Sequence, residues 1–252
     1  MRLAAIYDIH GNLPALEAVL EDISKQGADM IVVGGDVVAG PMPRQTLNLL
    51  LEQTTPVQFI RGNADREIVE QMSGKHDSEL PEAVGEVVRW VAQQLEPEHA
   101  RLMAAWPETL SLRIGGLGAV LFCHATPRND TEIFTRITPK ERLLPVFRDV
   151  QESLVVCGHT HMQFDRRVGG LRVVNAGSVG MPYGEGGAYW LMLGPGLEFK
   201  RTSFDQAKAA ERMRVTGYPN VESFVLENVL LTPTESEALS VFEPMAIGTN
   251  QS

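Results

Sequence analysis

Seven side chains able to hold cations stand where short apolar runs end. Asp8 and His10 follow Leu3-Ala4-Ala5-Ile6-Tyr7, Asp36 follows Met30-Ile31-Val32-Val33, and Asn63 follows Val57-Gln58-Phe59-Ile60. His124 comes directly after a run ending in Cys123, and His159 and His161 follow Val155-Val156-Cys157-Gly158. If the runs are strands, these donors lie at their carboxyl ends, the edge where open α/β sheets bind ligands. Asp8/His10 and His159/His161 are both i, i+2 pairs, which on extended backbone project to one side. Imidazole and carboxylate suit first-row divalent ions such as Mn, Fe, Co, Ni and Zn. A single histidine is ordinarily a hydrogen-bonded core or surface residue. Four histidines and two aspartates recurring at strand ends form a ligand pattern.

The elements that must carry these donors are legible in the hydrophobic spacing. After the first run, Leu13, Leu16, Val19, Leu20 and Ile23 recur at helical spacing, with Pro14 in the first turn and Gly27 as the stop. A helical stretch is expected near residues 44–51. Strands alternating with helices indicate βαβ units and a parallel sheet. Residues 78–106 read as a helical insertion of two helices, a candidate partial lid. Hairpins then dominate: 109–114 with 119–123, 164–168 with 171–174 around Gly169-Gly170, and 189–193 with 197–202. Thr138-Pro139-Lys140-Glu141 is read as a capping box opening a helix. Three further helices are expected after about Asp205. Parallel units followed by hairpins suggest two sheets with helices outside.

Composition sets the wider bounds. The chain has 252 residues, which allows one large domain or two small ones. At 44% hydrophobic and 21% charged it can build a sizeable core and is not a disordered chain. Asp plus Glu number 32 against 22 Lys plus Arg, a net charge of −10. That balance argues against a stable nucleic-acid complex or anionic-membrane binding. No run of about 18 apolar residues exists, and Asp8 interrupts the start before a leader's apolar region could form, so a soluble, cytoplasmic protein is expected. Cys123 and Cys157 sit in apolar runs and read as buried free thiols.

Taken in order, Asp8-Ile9-His10-Gly11-Asn12, Gly35-Asp36, Gly62-Asn63, His124 and Gly158-His159-Thr160-His161 resemble the motif blocks of the calcineurin-like metallophosphoesterase superfamily, in its small bacterial and archaeal phosphodiesterase type. Each block alone is weakly specific; five in sequence are highly specific. The resemblance implies an α/β fold of four layers: two mixed β-sheets packed face to face, flanked by helices, with a dinuclear metal site at the carboxyl edge of the strands. It implies one ion on Asp8, His10 and His161, another on Asn63, His124 and His159, and Asp36 bridging both. Asp36, Asn63 and His124 would then serve catalysis as well as ligation. Two divalent ions supply Lewis acidity and an activated water for in-line attack on phosphorus. The expected domains are a catalytic unit over 1–203 and a helical extension over 204–252 packed on it.

One departure bears on the reaction. Many members carry G-N-H-[DE], whose His meets the phosphate or the leaving group, whereas this chain reads Gly62-Asn63-Ala64-Asp65. Ala64 cannot donate a side-chain proton. Diester hydrolysis stays open, as does another acid such as His76; His76 and His99 otherwise read as surface residues. Asp65 could position a catalytic water or cap the following helix. Asn12 and Arg61 are candidate substrate-binding residues, Arg61 equally an ion-pair partner. Gly184-Glu185-Gly186-Gly187 is either a rim of the substrate cleft or a solvent loop. The expected substrate is a small phosphate ester or nucleotide, with no assignment of oligomeric state. Rival readings are a non-catalytic interaction scaffold of the same fold, a dinucleoside polyphosphate hydrolase and a protein phosphatase.

Overall fold

The computed structural model of the chain describes residues 1–75 and 80–248. The sequence opens with β1 (Leu3–Ile6), α1 (Leu13–Gln26), β2 (Met30–Val33), α2 (Pro43–Leu51), β3 (Val57–Phe59) and α3 (Asn63–Met72). Helix α1 forms for the reasons its spacing gives: Leu13, Leu16, Val19, Leu20 and Ile23 are its buried stripe, and the Asn12 side chain accepts from Ala15 N at its start. Gly27 closes it in the left-handed region at φ 68°. The insertion supplies α4 (Glu82–Gln94) and α5 (Pro97–Ala104). Then come β4 (Thr109–Ile114), β5 (Gly118–Cys123), α6 (Lys140–Phe147), β6 (Leu154–Cys157), β7 (Phe164–Val168) and β8 (Leu171–Asn175). The chain ends with β9 (Ala188–Leu193), β10 (Leu197–Thr202), α7 (Gln206–Arg214), α8 (Val221–Val225) running into a π-helical turn (Leu226–Leu230), and α9 (Glu235–Phe242).

The strands form two five-stranded mixed sheets, ordered β10-β9-β1-β2-β3 and β4-β5-β6-β8-β7. β1, β2 and β3 run parallel, as do β5, β6 and β8. The last hairpin does not extend the second sheet. It returns to the first, where β9 pairs antiparallel with β1 through Leu3↔Leu193 and Ala5↔Leu191. This makes β1 a central strand, and all four of its residues are buried.

Alternation along the strands builds the layers. Leu3, Ala5 and Tyr7 pack with Val32, Phe122, Leu154, Val156 and Leu191 between the two sheets. Ala4 and Ile6 point the other way, into a cluster with Leu16, Val19, Leu47, Ile68, Val91 and Trp190 under the helices. On the far face of the second sheet, Val155 and Cys157 pack with Phe147 and Leu143 of α6. The architecture is therefore helix, sheet, sheet, helix. Val88 and Met103 of the insertion join the helical layer of the first sheet, as do Ala209, Met213, Phe224 and Val229 of the C-terminal helices. No helix among the described residues is long and apolar enough to cross a membrane.

Some local expectations change. The Thr138 capping box does not form: Pro139 is the N-cap of α6, without a side-chain cap bond. The Thr138 hydroxyl instead accepts from Thr135 N and donates to Glu243, so a tertiary partner outcompetes the local cap. His99 accepts from Glu96 N and meets Asn48 Oδ1 at 3.1 Å, tying α5 to α2. Cys123 and Cys157 are buried free thiols. His76 lies outside the described residues.

Phe122 is fully buried between the sheets. Phe122→Ala should lower unfolding stability by about 3–5 kcal/mol, read from urea denaturation midpoints at constant slope.

Candidate dinuclear metal centre

Every donor identified in the sequence sits in the loop or helix start that follows a parallel strand. Five of them adopt left-handed backbone: Asp8 (φ 52°), His10 (48°), Asp36 (53°), His159 (67°) and His161 (58°). This corrects the extended-pair expectation. The i, i+2 residues leave the strands and turn sharply, and His159 and His161 part to different clusters. Such backbone costs of order 1–3 kcal/mol per residue and persists only where surroundings impose it. Here neighbouring loops interlock: Asp8 N donates to Gly35 O, His10 N to Asp36 O, Gly11 N to Val37 O and Gly180 N to Asp8 O, all at 2.9–3.1 Å. Two glycines admit the carboxylates. A Cβ on Gly62 would lie 2.2 Å from Asp36 Oδ1, and one on Gly158 would lie 2.4 Å from Asp8 Oδ2.

The donors converge as two adjoining groups, Asp8–His10–His161 and Asp36–His124–His159, with ligand atoms within 4.8 Å of one another in each. In the first, His161 Nε2 lies 3.4 Å from Asp8 Oδ1 and 3.2 Å from His10 Nε2. In the second, His124 Nε2 lies 3.5 Å from Asp36 Oδ2. The same Asp36 oxygen lies 3.7 Å from His10 Nε2, so one carboxylate faces both groups. As oriented, Asn63 Oδ1 is 3.1 Å from His124 Nε2 and 3.1 Å from His159 Nδ1.

Three observations fit a pair of cations. Asp8 Oδ1 is buried without a hydrogen-bond partner, while Oδ2 accepts from His159 N. His10, His124 and His161 each direct Nδ1 at a backbone carbonyl, of Ala39, Gly34 and Met181 respectively, so Nε2 faces inward and offers its lone pair once free of a proton. The Asn63 side chain stands between imidazole nitrogens of His124 and His159, where a cation or a rotated amide would satisfy it.

Electrostatics follow from burial. Asp36 is desolvated, yet the charges of His124 and His10 hold its carboxyl well below the usual range. Burial likewise opposes the charge of Asp8, and His161 then lowers it. Burial disfavours the charged form of His124, but Asp36 drives it up to about 10; Asp8 raises His161 against the same burial. His159 is pushed down to about 4 by burial and by His124, and His10 is lowered by burial and by His161.

The remaining sequence candidates fall differently. Asp65 is fully buried, and its carboxylate accepts from Asp36 N (2.8 Å), Val37 N (2.9 Å) and Gly62 N (3.1 Å). It caps α3 and holds the Asp36 loop. Burial, then the Asp36 charge, push this carboxyl up to about 7, against those amide donors. Asn12 as a substrate contact is corrected: it is fully buried, with its amide spent on Gly180 O and Ala15 N. Arg61 pairs with Glu108 at 3.1 Å, the ion-pair alternative. Glu67 was missed. One turn after Asn63 on α3, it hydrogen-bonds the Asn63 side chain; its i, i+4 spacing was the available signal. Arg66 was missed too, and clamps Asp130 in the loop after His124 through a bidentate pair at 2.8 and 3.2 Å.

Two outcomes follow. Asp65→Asn should weaken metal retention about 10–100-fold without removing a ligand, measured by competition with a chelating dye. At pH 7.5 metal-free His124, raised to about 10, carries a proton, while His10 and His159, lowered from the usual imidazole value, do not, so loading should release at least about one proton and weaken as pH falls. Calorimetry in buffers of different ionisation enthalpy measures that count, and zero release would contradict the pairing.

Comparison with known proteins places this geometry. A model of the calcineurin-like phosphoesterase superfamily domain matches residues 1–193. Phosphodiesterase YfcE of Escherichia coli K12 is 28% identical over 204 residues, 77% of this chain and 87% of that protein. The uncharacterized protein MJ0912 of Methanocaldococcus jannaschii is 28% identical over 179 residues, 70% of this chain and 69% of that one. The crystal structure of a metallophosphoesterase from Sphaerobacter thermophilus aligns with TM-score 0.72 at 27% identity, over 92% of this chain and 98% of that one. The hypothetical protein PH1004 from Pyrococcus horikoshii shares the fold, with TM-score 0.76 at 21% identity over 88% and 97% of the two chains. The chain belongs to the calcineurin-like phosphoesterase superfamily.

Proposed function

We propose that this protein is a two-metal phosphodiesterase acting on small phosphate esters or nucleotides. The observation that carries this reading is the meeting of seven donors in two adjoining groups that share Asp36 Oδ2. Asp8, His10 and His161 would hold one ion, Asn63, His124 and His159 the other, and Asp36 both. The ions would supply Lewis acidity toward phosphoryl oxygens and lower the pKa of an attacking water. Two carboxylates against two divalent ions leave a net positive site, which suits an anionic diester. The neutral amide of Asn63 preserves that charge where a third carboxylate would reduce it.

The chain's own residues supply orientation. Backbone carbonyls fix three imidazoles in one tautomer, and Asp65 holds the Asp36 loop from behind. At position 64 the backbone N–H is given to Asp36 Oδ1 at 2.9 Å, and the methyl side chain offers no proton. An ester whose leaving group is already stabilised needs the missing donor least, which disfavours monoesters with poor leaving groups and leaves diester hydrolysis open. YfcE's designation as a phosphodiesterase supports the diester reading. The metal belongs to the Mn, Fe, Co, Ni, Zn group, all of which suit these donors.

Metal-reconstituted protein should hydrolyse bis-p-nitrophenyl phosphate faster than p-nitrophenyl phosphate. Asp36→Asn should lower that rate by more than about 100-fold, the scale on which removing one electrostatic stabiliser acts, and reduce metal content at both positions by elemental analysis. Full metal content without turnover on any phosphate ester would instead favour the scaffold reading.

A further inference from the structure

Residues beyond the matched family region reach back to the centre. Helix α9 opens on Thr234, whose side chain caps Glu237 N while Glu237 returns the bond. Around it the segment 232–247 joins two loops. Toward the loop after His124, Glu235 pairs with Arg136, the Glu243 carboxylate accepts from the Thr135 and Thr138 hydroxyls, and Ile247 N donates to Ile133 O. Toward the loop between β8 and β9, Gly184 N donates to Pro233 O and the Thr232 hydroxyl donates to Gly184 O. That second loop carries Met181, whose carbonyl fixes His161, and beside it Tyr183.

Tyr183 is half-buried and stands at the rim of the first donor group. Its ring centre lies 6.1 Å from that of His161, tilted by 31°. Phe242 of α9 packs edge-on against it at 5.9 Å and 77°. No described residue hydrogen-bonds its hydroxyl, so the phenol is not spent on the fold. A ring fixed in place, partly open and next to a metal-ligating imidazole is a preorganised stacking surface.

We infer that Tyr183, held by the 232–247 segment, is a substrate-contacting residue that selects phosphate esters bearing an aromatic ring, aryl or nucleobase. The inference rests on the phosphoesterase reading above and names the substrate class of that site. It also gives the C-terminal segment a role, that of positioning one wall of the cleft.

The test separates recognition from leaving-group reactivity. Phenyl p-nitrophenyl phosphate and methyl p-nitrophenyl phosphate expel the same p-nitrophenolate and differ only in the group retained. Tyr183→Leu should reduce the phenyl-to-methyl ratio of kcat/KM by about 2–10-fold, and Tyr183→Phe should preserve it. Calorimetry of the metal-loaded protein with phenylphosphonate and methylphosphonate should show the same selective loss of affinity. Phe242→Leu, remote from the metal ligands, should lower the ratio in the same direction and serves if Tyr183→Leu does not fold. Equal losses of affinity for phenylphosphonate and methylphosphonate, no change for either, or loss of bound metal in Tyr183→Leu would overturn the inference. Wild-type protein that discriminates the phosphonates through Tyr183 yet turns over no ester would leave it standing and refute the hydrolytic reading alone.

Discussion

Placing two carboxylates and four imidazoles in one buried space is the constraint on which the rest of this structure depends. Asp8 is fully buried and Asp36 nearly so, and neither neutralises by taking up a proton. Both stay charged because imidazoles and backbone amides surround them, and cations would complete the arrangement. Asp8 Oδ1, which faces His161 Nε2 at 3.4 Å without a hydrogen bond, expresses that incompleteness. A fold stabilised chiefly by packing gains little from such a cluster; a metal-binding fold requires it.

Holding the cluster takes backbone that most residues avoid. Left-handed turns at five donors bring side chains inward from strands whose own side chains point at the cores. The strain is sustained because the turns are stitched to other loops as well as within themselves. Asp8 and His10 bond to the Gly35–Asp36 loop, and Asp65 reaches from α3 to the same place. Asn12, Ser178 and Gly180 lock the first loop to the stretch after β8 through the Asn12–Gly180 and Ser178–Asp8 bonds. The two donor groups thus share a rigid frame, which keeps orientation costs out of the binding step.

The C-terminal helices serve two ends. α7 and α8 bury Met213, Phe224 and Val225 in the same cluster as Ala4 and Ile6, so they complete the outer face of the first sheet. The segment around α9 instead spans polar loops at the ligand-bearing edge, through Thr135, Thr138, Arg136 and Gly184. Core completion and bracing of the loops at the donor-bearing edge are therefore carried by successive stretches of the C-terminal residues.

By itself the sequence determined the candidate donors, the strands that end in them and most helices, because apolar periodicity and strand-end polarity are local signals. The α1 stripe, the Gly169-Gly170 hairpin and the Asp8, Asp36, His124 and His161 donors were all legible there. Tertiary structure alone decided that β9 and β10 return beside β1, since a hairpin carries no local mark of the sheet it joins. It also spent Asn12 on a helix cap, gave Asp65 to the Asp36 backbone, diverted Thr138 from its cap to Glu243, and brought Tyr183 to His161 and Phe242 to Tyr183. Those outcomes depend on contacts between residues far apart in the chain, where competing partners settle which hydrogen bond or ring contact is made, and single-residue chemistry does not encode that choice.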